Sequence, residues 1–147
     1  MTKREQNKAI ALHLEWTFHD LEYAHVGGGA VGEKFWLPPG VDITTLSAEE
    51  ISTGPNHGRD IPDYSGDLNR MREAIAVLKD SPVDFHGRYH SQKTLYTCLL
   101  IEVILGITSG SYQWPAFGPS CDMVFLVASA TAEQQAEAFI RFIEAVK

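Results

Sequence analysis

A chain of 147 residues, 44% hydrophobic and 21% charged, is long and apolar enough to bury a core of its own without staples, and one domain is expected. Its net charge of −7 excludes a non-specific nucleic-acid binder, which needs a basic footprint, although two or three local arginines can still hold a small anion. No window reaches the ~18 uncharged apolar residues of a membrane helix, and the basic start Met1-Thr-Lys-Arg-Glu5 lacks the apolar run of a secretory signal.

Lys3 to about Tyr23 reads as a helix, because Ile10, Leu14, Phe18 and Leu21 fall on one apolar stripe. Leu12 and Trp16 fall off that stripe, which allows an early end near Glu15. His25-Val-Gly-Gly-Gly-Ala-Val-Gly32 is turn or loop, and Phe35-Trp-Leu37 is a short strand stopped by Pro38-Pro-Gly40. Ser47-Ala-Glu-Glu50 has the form of a capping box and can open one turn of helix. Ser52 to Asp67, rich in Gly, Pro, Asn, Asp and Ser, is a long loop, and long loops in compact domains are often functional.

Leu68 to Lys79 is the clearest helix. Asp67 or Ser65 caps it, Leu68, Met71, Ile75 and Leu78 form its buried face, and Asp80-Ser-Pro82 ends it. Thr94 to Ile107 is either strand or helix: β-branched residues favour the first, the spacing of Leu95, Leu99 and Val103 the second. Cys121 to Ala128 reads as a strand on the run Val124-Phe-Leu-Val127. Thr131-Ala-Glu-Gln134 then opens the last helix as a capping box, with Ala132, Ala136, Phe139, Ile143 and Val146 on its inner face. The order gives an α+β (α/β) chain, a small sheet sandwiched by helices in an α-β-α sandwich.

Most familiar chemical patterns fail on context. Gly27, Gly29 and Gly32 match G-x-G-x-x-G, but a dinucleotide site needs them between a strand and a helix, and here they precede Pro38-Pro39. His86 and His90 are four apart, a metal spacing on a helix, but Gly87 and Pro82 oppose a helix. Asp60, Asp63 and Asp67 lack calcium-loop spacing and read as turn and cap residues. Cys98 and Cys121 lie far apart in apolar settings and read as two buried thiols rather than a disulfide or a metal pair. No nucleophile or base can be matched to an orienting partner, so no catalytic residue, metal or cofactor is assigned and no enzyme is expected.

Arginine with aromatic neighbours remains. Arg59 and Tyr64 lie on the long loop, Arg88 and His90 flank Tyr89 before the central apolar segment, and Trp36 and Trp114 stand beside turns rich in Pro and Gly. Guanidinium forks hold phosphate and aromatic faces stack on bases, which makes these six the candidate ligand residues. The plainer alternative is solvated arginines and aromatics that fill small cores.

Four stretches, in this order, resemble the small phage and prophage proteins of the phage ABA sandwich family. They are Asn7-Lys-Ala-Ile-Ala11 with Trp16, Phe35-Trp-Leu-Pro-Pro-Gly40, Pro62-Asp-Tyr-Ser-Gly-Asp-Leu-Asn69 with the helix after it, and Ala128-Ser-Ala-Thr-Ala-Glu-Gln-Gln-Ala-Glu-Ala138. Ser81 to Asp122 is longer and more apolar than the family pattern. The resemblance implies a small cytoplasmic protein made from a phage or prophage genome in its host. On that basis the first expectation is a non-enzymatic sponge, which sequesters a nucleotide-type defence signal in a pocket between subunits of a homo-oligomer. The second is an accessory protein that binds a host protein through an acidic and apolar surface. A hydrolase with an unrecognised site is the third.

Overall fold

Thr2 and Glu5 start the first helix by capping each other. The Thr2 N–H and hydroxyl donate to Glu5 Oε2 at 2.6 and 2.9 Å, and the Glu5 N–H donates to Thr2 Oγ1 at 3.3 Å. This α1 (Lys3–His13) belongs to a computed structural model that describes residues 1–24, 30–45, 60–111 and 121–147, with the backbone alone for 21–24, 30–33 and 121. The readings made above for residues 25–29, for Ser47-Ala-Glu-Glu50 and for the loop from 52 to 59 lie outside the described residues.

The helix does not run on to Tyr23 but stops at His13, close to the early end near Glu15 that Leu12 and Trp16 allow. Glu15 turns left-handed, with φ 64°, its N–H donating to Leu12 O at 3.2 Å and that of Trp16 to Ala11 O at 3.0 Å. That pair of bonds is the Schellman stop, with glutamate where glycine usually sits. The chain then runs out as β1 (Thr17–Ala24), antiparallel to β2 (Ala30–Leu37), with Phe18 opposite Trp36, His19 opposite Phe35 and Asp20 opposite Lys34. Phe18 and Leu21, which fit a helical stripe, therefore belong to a strand. The expected strand Phe35-Trp-Leu37 is the end of β2. Phe35 and Leu37 are buried, with Val41 and Ile43 packed against them, and a 3₁₀ turn follows at Ile43–Thr45.

Residues 11–62 form one compact unit; residues 1–10 with 63–147 form the other. The second unit holds α2 (Leu68–Ala76), β3 (Pro82–Phe85), β4 (Arg88–Ser91), α3 (Gln92–Leu105), α4 (Cys121–Ala128) and α5 (Ala132–Ala145). Its core lies where α3 packs on α5, with Leu95, Leu99, Leu100, Ile101, Phe139 and Phe142 almost completely buried. Tyr96 meets Phe139 edge-on at 6.0 Å, and Phe139 meets Phe142 at 5.7 Å. Burial round most of its circumference leaves α3 without an amphipathic period, which is why its sequence fits strand and helix alike.

Cys121 to Ala128, expected as a strand, is the helix α4. A short contiguous apolar run carries no period, so Val124-Phe-Leu-Val127 satisfied the strand rule without excluding a helix. The caps were legible: Asp67 accepts from the Asn69 and Arg70 amides at the start of α2, and Thr131 with Gln134 forms the reciprocal capping box of α5. Ala136, Phe139 and Ile143 form part of the buried face of α5, as their spacing predicts. The chain is α+β, with five helices and two small antiparallel sheets of two strands each among the described residues. None of the described helices is long and apolar enough to cross a membrane.

Candidate functional site

The β3–β4 hairpin closes through His86 and Gly87, both with positive φ (53° and 76°), the left-handed pair that a two-residue turn requires. The Gly87 N–H donates to Asp84 Oδ1 at 3.1 Å, and the His86 ring meets Phe85 edge-on at 4.3 Å. Pairing sets Phe85 opposite Arg88 and Val83 opposite His90, so these four share one face, while Asp84 and Tyr89 share the other. Val83, Phe85 and His90 are half-buried; Arg88 is exposed, and Tyr89 is 77% exposed. The structure thus brings Arg88 and His90 together, two positions apart on one face. His86 and His90 sit on a hairpin rather than on one helical face.

Tyr64 is 3% exposed and Trp36 is 9% exposed, so neither presents an open face for stacking. Trp36 packs against Phe18, with ring centroids 5.2 Å apart, and Phe18 itself is 50% exposed. Trp36 belongs to the unit of residues 11–62, and Tyr64, Arg88 and His90 to the other. Arg59 and Trp114 lie outside the described residues.

The stretch from Asp63 to Asp67 is a structural tie. Asp63 Oδ1 accepts from Asn7 Nδ2 at 2.9 Å, the Gly66 N–H at 3.1 Å and Ser65 Oγ at 3.3 Å. Asn7 Oδ1 accepts in turn from the Ser65 N–H at 2.9 Å, and the Asp67 N–H donates to Asp63 O at 2.9 Å. Asn7 and Ser65 are buried, so this network satisfies polar groups that would otherwise cost stability.

Cys98 is not an activated nucleophile. It is buried on α3, and its thiol is pushed up to about 11, first by burial and then by the Glu102 carboxylate one turn away. Glu102, also buried, accepts from the Gly110 N–H at 3.0 Å and so anchors the turn after α3. Among the described residues no three His, Cys, Asp or Glu side chains come together as a metal site.

Sequence reasoning missed how the charge is distributed. Within residues 11–62, Glu15, Asp20, Glu22, Glu33, Asp42, Glu49, Glu50 and Asp60 are opposed by Lys34 and Arg59 alone. All but one of the net −7 charges belong to this unit, and the other is nearly balanced. The signal was present in the sequence, but only the unit boundary makes it a property of one body. No family model, no curated protein sequence and no solved structure matches the chain.

Proposed function

We propose that the chain is a non-enzymatic accessory protein, of the phage or prophage kind its sequence resembles, which binds a basic surface of another protein through residues 11–62. The segregation of negative charge into that unit carries the reading. Phe18 supports it: half exposed on the ring of Trp36, it shares a face of β1 with Asp20, two residues along. An exposed aromatic beside exposed acid suits a partner with an apolar pocket and a basic rim. Asp20 and Lys34, 3.9 Å apart and both exposed, hold each other only weakly and are available to exchange partners.

The test is cross-linking of the full chain to its partner in host lysate, then binding measured across a salt series. Cross-links should map to residues 11–62, the association rate should fall steeply with salt, and Phe18→Ala should weaken binding at least ~tenfold. Salt-independent binding that tolerates Phe18→Ala would overturn the proposal.

The pairing of Arg88 and His90 beside Val83 and Phe85 favours a second reading, the sponge for a nucleotide-type signal. A guanidinium and an imidazole on one half-apolar face can meet phosphate and base together. Protein purified from its host and heated should then release an intact nucleotide, and Arg88→Ala should release none while staying folded. Release that survives Arg88→Ala removes the residue assignment; release of nothing, after challenge with cyclic nucleotides, removes the reading.

A further inference from the structure

We infer that the outer edge of β1 takes an extended basic segment of the partner as a third strand, antiparallel to β1. The inference rests on the accessory-protein reading and names how that partner is held. β1 and β2 form a sheet of two strands, and among the described residues no backbone group bonds the side of β1 turned away from β2. Such an edge offers a row of N–H and C=O groups to any extended chain laid beside it, and proteins usually blunt it with lysine, proline or a bulge. Thr17-Phe-His-Asp-Leu-Glu-Tyr-Ala24 has neither lysine nor proline, and its register with β2 runs without a bulge from Thr17 to Ala24. By comparison β2 is guarded: it carries Lys34 and runs into Pro38-Pro39. A sheet of two strands also falls short of the three that usually stand by themselves.

Charge selects the occupant. The strand bears two acids, Asp20 and Glu22, and no lysine or arginine, inside the unit where acids outnumber bases eight to two. A second copy paired edge to edge would bring like charges onto neighbouring strands, which is destabilising. A basic segment meets the opposite sign along the same edge. Phe18 and Asp20 share a face, and their side chains fix the order of the segment. Phe18 is half exposed, and the Asp20 side chain is 56% exposed. In an antiparallel strand the residue opposite Asp20 comes two places before the residue opposite Phe18. The segment therefore reads Lys or Arg, any residue, then an apolar residue.

The probe is the capped peptide Thr-Lys-Thr-Val-Thr-Lys-Thr-Val, titrated into the full chain and followed by fluorescence anisotropy and amide hydrogen exchange. Alternate amides of β1 should gain protection while those of β2 stay unchanged. The peptide can be N-methylated at alternate residues in two patterns, and one of them should bind at least ~tenfold more weakly, because it blocks the bonds to the edge. Asp20→Lys, shown folded by circular dichroism, should also weaken binding at least ~tenfold. Binding that both N-methylated forms retain would overturn the edge pairing and leave the accessory-protein reading standing, since charge alone would then hold the peptide. So would absence of peptide binding while cross-links to the partner still map to residues 11–62. Cross-links that map elsewhere remove the reading and this inference together.

Discussion

Gly66 is glycine for a local reason. A Cβ there would lie 2.2 Å from Asp63 Oδ2, and Asp63 cannot turn aside without releasing Asn7, Ser65 and the Gly66 amide. Asp63→Ala should therefore lower stability by about 1–2 kcal/mol, since charge-assisted bonds to partly buried groups are lost together. Gly66→Ala should act in the same direction, and thermal unfolding of both variants checks it. Tolerance of both changes would mean that the network is ornamental. At Cys98 the expectation is inertness: with its thiol at about 11, almost none is thiolate near neutral pH. A thiol reagent at neutral pH should leave Cys98 unmodified in the native protein and modify it once urea unfolds the chain. Peptide mapping keeps it apart from Cys121.

At the scale of elements, the two Schellman stops make a natural comparison. Gly106, with φ 67°, ends α3, with its N–H on Val103 O and that of Ile107 on Glu102 O. Glu15 does the same for α1 without glycine's freedom, in a conformation that costs an ordinary residue roughly 1–2 kcal/mol. Glu15→Gly should stabilise the protein by up to about 1 kcal/mol, offset in part by a freer unfolded chain, and Gly106→Ala should destabilise it by a similar amount. Chemical denaturation of the pair tests both signs. The cap at the other end of α1 gives a pH dependence. The Thr2 N–H and hydroxyl hold the Glu5 carboxyl below its ordinary range. A lowered folded value means that the contribution is complete above the ordinary carboxylate range and is lost as pH falls through the folded value. Titration by NMR should place Glu5 below an ordinary glutamate, with the first turn of α1 fraying as it protonates and Thr2→Ala moving it back up.

The same elements show which sequence signals were readable. Caps were, because Asp67 and Thr131 act on amides two or three residues away, and that chemistry is local. The class was readable too, from α2 and α5, whose apolar spacing is unambiguous. The early end of α1 was open to reading from Leu12 and Trp16, which fall off the stripe, but no stop residue marked it because glutamate does glycine's work there. The type of α4 was hidden because an unbroken apolar run has no period, and α3 was ambiguous because burial on most sides erases one. The candidate site was the least legible part. Tyr64 and Trp36 carry the chemistry of stacking residues, and only tertiary packing shows them buried. Arg88 and His90 could be paired from sequence only by knowing that His86-Gly87 makes a two-residue turn.

At the scale of the molecule, the uneven charge should appear as strong salt dependence of any contact made by residues 11–62 and little for contacts made elsewhere. Substituting Asp20 and Asp42 with Asn should slow association with a basic partner while leaving the helical circular dichroism of the chain unaltered. Stopped-flow binding and circular dichroism of the same sample measure the two separately.

The bond from Asn7 to Asp63 has a consequence for the path of the chain. It fastens together two points 56 positions apart in the chain, and everything in the acidic unit is strung between them. The exit and re-entry points of that excursion are therefore neighbours, the arrangement that lets one body of sequence be spliced into another without disturbing its host. Residues 11–62 have the layout of a cassette. Replacing them with a short Gly-Ser bridge should leave a chain that still shows the helical circular dichroism of α2 to α5. If it does, residues 1–10 and 63–147 fold without the acidic unit; loss of that signal would show that they depend on it.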